Sequence, residues 1–272
     1  MLVMETSKRV LGEEHPDSLT RMANLASTYQ HQARWKEAEE LEVVVMETSK
    51  RVLGEEHPDS LMSMVDLAST YRSQGRFRKA EELEVLALET SKRVLGEEHP
   101  DSLRGMANLA STYSSQGQLK EAEVLEVLVV ETTNRVLGEE HPDSLICMAN
   151  LASTYRSQGR WKEAEELGVP VMETMKRVLG EDHPHSLTMM ANLASTYRRQ
   201  GRLQEAKELS VLVMEMRKRV LGEQHPDSLT TMAHPSLTYR DQGRRKEAEE
   251  LFVLVMETRK RVLGAEHHDS RA

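Results

Sequence analysis

At 272 residues the chain has room for one large domain or two ordinary ones, and its composition narrows the class: 38% hydrophobic, 30% charged and only 4% aromatic residues exclude a disordered tail and argue for helices around an aliphatic core rather than an aromatic-filled β-sandwich. The formal charge of −9 weighs against non-specific nucleic-acid binding, and the single cysteine, Cys147, excludes an intramolecular disulfide framework. With charged residues at Glu5, Lys8 and Arg9 where a signal peptide needs an apolar run, and no stretch long enough to span a bilayer, the expected location is cytoplasmic, away from membranes.

Residues 1–14 read as the second half of a helix whose repeat begins before the chain does. From His15 the sequence repeats: His-Pro recurs at His15, His57, His99, His141, His183 and His225, each 42 residues after the last. This gives six units, 15–56, 57–98, 99–140, 141–182, 183–224 and 225–266, and residues 267–272 open a degenerate seventh at His267. The first and fourth units differ at nine of 42 positions, the mark of recent tandem duplication. Neither end carries a polar capping segment, so a piece of a longer array is expected.

Within the first unit, Leu19, Met22, Leu25, Ala26 and Tyr29 fall three and four apart, which predicts a helix A over residues 16–32 with one buried face. Pro16 suits the first turn, where its missing N–H has no partner, and Asp17 faces the positive end of the helix dipole. A break follows at Ala33, which is glycine in the other five units. Trp35, Ala38, Leu41, Val45 and Val52 then mark a helix B to about Leu53, stopped by Gly54. Glu47 and Arg51, and Glu257 and Arg261, have the spacing of helix-stabilising ion pairs. Pro170, inside helix B of the fourth unit, and Pro235, inside helix A of the sixth, predict kinks. The terminal units, each short of one neighbour, are expected to fray first.

The pattern Met22-x2-Leu25-Ala26-x2-Tyr29, then Ala38, resembles the tetratricopeptide (TPR) signature. The strings N-L-A-x-x-Y, G-R-W-K-E-A-E and R-V-L-G-E-x-H-P-D are similar to the 42-residue repeats of kinesin light chains and fungal kinesin-light-chain-like arrays. The resemblance spans nearly the whole chain and implies an all-α, right-handed solenoid of two-helix TPR units that binds protein or peptide in a concave groove lined by helix A. Two other roles fit the same repeats: the sensor array of a nucleotide-switched, NB-ARC/NLR-like receptor, or a cargo adaptor of the kinesin-light-chain kind. No heptad segment precedes the array, and no Gly-x4-Gly-Lys-Ser/Thr loop occurs.

Enzymatic chemistry is not expected. Equivalent histidines of stacked units should stand on the order of 10 Å apart, too far to share a metal ion, and a role in starting each helix is expected for them instead. Cys147 has no histidine at reach on its helix face. Glu37, Glu39 and Glu40 read as a solvated flank, and the sixteen methionines mostly as core filler, as at Met22 and Met46. No catalytic, cofactor or metal residue is assigned. The candidate site is the polar stripe of helix A. One row is Asn24, Asp66, Asn108, Asn150 and Asn192, continued by His234; amides there offer a donor and an acceptor to a peptide backbone. A second is Gln30, Arg72, Ser114, Arg156, Arg198 and Arg240, whose guanidinium groups predict a preference for acidic extended peptides. Differences among units gather at positions 20, 21, 30 and 31 of helix A and at 35 and 42 of helix B, as expected if specificity lies on surfaces.

Overall fold

A computed structural model describes residues 14–222 and 235–250, together with 12, 252–253 and 256–257. The chain forms α1 (Pro16–His31), α2 (Trp35–Leu53), α3 (Pro58–Ser73), α4 (Phe77–Leu95), α5 (Pro100–Gln116), α6 (Leu119–Leu137), α7 (Pro142–Ser157), α8 (Trp161–Val178), α9 (Pro184–Arg199) and α10 (Leu203–Leu221), with further helix at 235–241 and 245–250. No strand occurs among the described residues. Odd-numbered helices are the A helices and even-numbered ones the B helices of a TPR-type α-solenoid. Two compact units are distinguished, 1–132 and 133–272. In the first, α1, α2, α3, α4 and α5 each pack on the next; in the second, α7, α8, α9 and α10 do so.

Each A helix starts the same way. His15, His57, His99, His141 and His183 sit in extended backbone at the N-cap, and the ring Nδ1 accepts the backbone N–H two residues on, at 3.2 Å from Asp17, Asp59, Asp101 and Asp143 and 3.3 Å from His185. The histidine thus does the work usually left to serine or asparagine, satisfying one of the helix's orphan donors. B helices stop where glycine follows: Gly54, Gly96 and Gly222 have φ of 98°, 98° and 86°. Ala33, at φ 56°, occupies the left-handed turn that Gly75, Gly117, Gly159, Gly201 and Gly243 fill elsewhere, and no other described non-glycine residue has positive φ.

Alanine is what lets A and B approach closely. Ala26 and Ala38, Ala68 and Ala80, and Ala194 and Ala206 are all buried, at 4% exposure or less. Further core clusters gather Leu61, Met64 and Ala87 in the first unit and Leu187, Met190, Val213 and Met216 in the second, so methionine is largely core filler as anticipated. Consecutive repeats are stitched by polar contacts too. Gln74 donates to the Trp35 carbonyl at 3.2 Å and to Glu39 at 2.8 Å, and Arg76 reaches Glu39 at 2.7 Å while lying 4.3 Å over the Tyr71 ring. Gln200 repeats this on Trp161 and Glu165. Glu39 is therefore a partly buried tie and not a solvated flank.

One more expectation changes. Arg51 does not pair with Glu47 one turn earlier; it reaches back to Glu14 at 2.8 Å, as Arg93 does to Glu56 at 2.8 Å and Arg177 to Glu140 at 2.6 Å, because the preceding inter-repeat turn brings a carboxylate alongside the end of helix B. These exposed pairs are screened by solvent and add little to stability. Helix α8 runs without interruption through Pro170. Residues 223–234, which hold His225 and His234, and residues 258–272, which hold Arg261 and His267, lie outside the described residues, and with them the kink expected at Pro235 and the fraying expected of the last repeat.

Candidate binding surface on the A helices

The amide row lies on the polar side of the A helices, with Asn24, Asp66 and Asn108 in the first compact unit and Asn150 and Asn192 in the second. Among the described residues, the side-chain amides of Asn24, Asn108, Asn150 and Asn192 make no hydrogen bond. They do not tie helices together, so their donors and acceptors stay unspent. Asp66 breaks the row by carrying a carboxylate where each of these repeats carries an amide. Burial pushes its pKa up, against a smaller downward pull from Arg104.

The second row is far less uniform than its sequence suggests. Gln30 donates to Glu42 Oε1 at 2.8 Å and Thr70 Oγ1 at 2.6 Å. Arg72 is held at 3.4 Å from Glu84 and donates to the Asn108 carbonyl at 3.1 Å, so its charge is largely spent. Arg198 pairs with Asp241 of the next repeat at 2.6 Å. Arg240 is exposed, with Asp241 3.8 Å away. Arg156 differs from all of these. Gly168 stands where Glu84 serves Arg72, and Arg199 stands where Asp241 serves Arg198, so both partner positions lack an acid. Its terminal nitrogen donates to Ser153 at 3.1 Å, and its buried Nε has no partner. Burial, then the Arg199 charge, hold its pKa below the ordinary arginine value. The room left at Gly168 is taken by Met189 and Leu193, whose side chains lie 2.6 and 3.0 Å from where a Cβ would stand.

The buried acids of helix B are what sequence reasoning missed. Glu42, Glu84 and Glu126 are 4%, 2% and 8% exposed, so position 42 is interior and not a surface position. The signal was present: Glu42 follows Ala38 by four residues and precedes Val45 by three, on the apolar stripe itself. Glu42's pKa is raised to about 7, first by burial and further by Asp66, against hydrogen bonds from Thr70 and Gln30. Among the described residues no group of three His, Cys, Asp or Glu side chains could hold a metal ion, and no helix is long and apolar enough to cross a membrane.

Sequence profiles described as tetratricopeptide repeat match residues 18–59, 60–101, 103–143 and 144–185, and another matches 188–261. The chain belongs to the tetratricopeptide-repeat family. Among solved structures it is similar to a kinesin light chain of Podospora anserina with nearly identical TPR-like repeats, at 33% identity over 76% of this chain and 98% of that one, with a TM-score of 0.64. Two more distant solved structures share the fold. One is NprR in complex with its cognate peptide NprX, at 16% identity, covering 96% of this chain and 74% of that one, TM-score 0.64. The other is a STAND signal-transduction ATPase with a TPR sensor from Pyrococcus horikoshii, at 12% identity, covering 98% and 40%, TM-score 0.66. No curated protein sequence matches the chain.

Proposed function

We propose that this TPR chain is a non-catalytic scaffold that binds extended protein segments on its A helices, with the amides within each compact unit, Asn24 and Asn108 in the first and Asn150 and Asn192 in the second, bonding the segment's backbone. The observation that carries this reading is the unspent amide row: four equivalent side chains, in repeats otherwise dense with internal ties, each keep a donor and an acceptor for something outside the chain. NprR, bound to a peptide in its solved complex, supports a peptide as the ligand of such a fold. The acidic preference centres on Arg156, because Arg72 and Arg198 are engaged by Glu84 and Asp241 and Arg240 is solvated. A carboxylate there would meet a half-buried guanidinium with no acid of its own. Peptide display should return extended acidic segments whose affinity falls with added salt. Asn150→Ala with Asn192→Ala should weaken them about tenfold or more, and Arg156→Gln should remove the acidic preference, with circular dichroism unchanged. If the double alanine variant binds undiminished, the amide row is not the binding surface.

A further inference from the structure

The first two repeats depart from the pattern in the opposite electrical sense, and their departures meet in one place. Glu42 is the buried acid of its repeat, but Gln30 stands where the second repeat supplies Arg72, so no arginine neutralises it. Asp66 is the carboxylate in a row of amides. Both line one cavity of about 240 Å³, together with Asn24, Ser27, Ser63 and Val45.

The cavity has the features of a site and not only of an acidic cluster. Glu42 is 4% exposed, and its Oε2, buried beside the cavity, has no hydrogen-bond partner. Arg104, which acts on Asp66 from α5, is bonded to Asp101 at 2.8 Å, and Arg72 is held by Glu84. Glu39, one turn before Glu42, adds further negative potential. Two unpaired carboxylates, one nearly sequestered, leave a hole for one positive charge. Three carboxylates or imidazoles able to share a metal ion are not found together among the described residues, which favours an organic cation. Val45 and Ala23 supply apolar wall for an aliphatic stem, while Ser27, Ser63 and Asn24 offer oxygen acceptors to an ammonium's remaining protons.

We propose that this cavity binds the side chain of a lysine from a partner chain, its ammonium group lying between Glu42 and Asp66. The site stands apart from the acidic preference assigned to Arg156, in the other compact unit, and either can fail without the other. The test uses the whole chain at pH 8 and the probe Nα-acetyl-lysine-N-methylamide, followed by backbone amide shifts. Saturable shifts at Asn24, Ser63 and Asp66 are expected, and the uncharged norleucine analogue should bind about tenfold more weakly. Asp66→Asn, which restores the residue of neighbouring repeats, and Glu42→Gln, which keeps the shape, should each lower lysine affinity by about the same factor. Binding should also weaken from pH 8 to pH 6 as Glu42 takes up its proton. Equal binding of the norleucine analogue, or undiminished lysine binding by both folded variants, would overturn the proposal.

Discussion

At the scale of single residues, the costs in this protein fall where one repeat lacks what its neighbours have. Glu42 binds its proton more tightly in the folded chain, at about 7, than the ordinary value of 4.5 of an unfolded one, so its contribution to stability is complete below 4.5, is lost as pH rises from there through 7, and is level beyond. The loss is on the order of 3 kcal/mol. Glu42→Gln should therefore melt higher than the parent at pH 8 and indistinguishably from it near pH 4, which a pair of thermal melts across that range would show; a constant difference at all pH values would mean that the carboxylate is not ionising in the interior. Ala33 is the complementary case in the backbone, since its φ of 56° forces a Cβ into a region that every equivalent described residue enters as glycine. Left-handed backbone costs a residue with a side chain about 1–2 kcal/mol, partly offset by the greater entropy glycine loses on folding. Ala33→Gly should thus stabilise by about 0.5–1 kcal/mol in urea denaturation, with no change in the helical spectrum.

At the scale of helices, Pro170 shows why an element can outlast a residue that ought to end it. The ring sits on the exposed side of α8, at the position held elsewhere by Val44, Leu86, Leu128 and Leu212, which are 37–50% exposed. The carbonyl it deprives of a partner, that of Glu166, belongs to an exposed residue and can be met by water. Pro170→Val should still recover about 1–2 kcal/mol by restoring the missing hydrogen bond, read as a higher urea midpoint at unchanged slope. Most of the elements were legible in the sequence for a physical reason. His-Pro-Asp starts and Gly-Glu stops are local chemistry, and the apolar stripe from Leu19 to Tyr29 or from Ala38 to Val45 needs no knowledge of neighbours. The site was half legible. A row of asparagines is visible as a row, yet whether an amide is spent depends on contacts 40 residues away, as when Arg72 reaches Thr112 or Gln30 reaches Thr70. Arg156 looks identical to Arg198 in sequence; only the acid at Asp241 and its replacement by Arg199 one repeat earlier distinguish a neutralised guanidinium from an unneutralised one.

At the scale of the whole chain, the governing property is that the repeats speak one interface language. In the first compact unit each helix packs mainly on its immediate neighbours, and the ties between repeats use equivalent atoms each time: the Trp35 carbonyl and Glu39 receive Gln74, and Glu81 receives Gln116 at 2.8 Å. Stability is then approximately a sum of repeat and nearest-neighbour terms. Removing residues 57–98 tests this directly. The cut joins Glu56 to His99, recreating the Glu-His-Pro-Asp junction already present at Glu56 to Asp59, and it presents Gln116 to Glu39 and Thr112 to Gln30 in place of Gln74 and Thr70. Two ion pairs are lost: Gln118 takes the place of Arg76 opposite Glu39, and the Arg72–Glu84 pair leaves with the deleted repeat, Ser114 standing where Arg72 did. The shortened chain should fold, with the same helical signal per residue, a lower melting temperature and a smaller denaturant slope in proportion to the surface removed. The same deletion takes away Asp66, so lysine binding should go with it, while binding of acidic peptides through Arg156 should persist. A shortened chain that fails to fold would show that the repeats, for all their likeness, are not interchangeable.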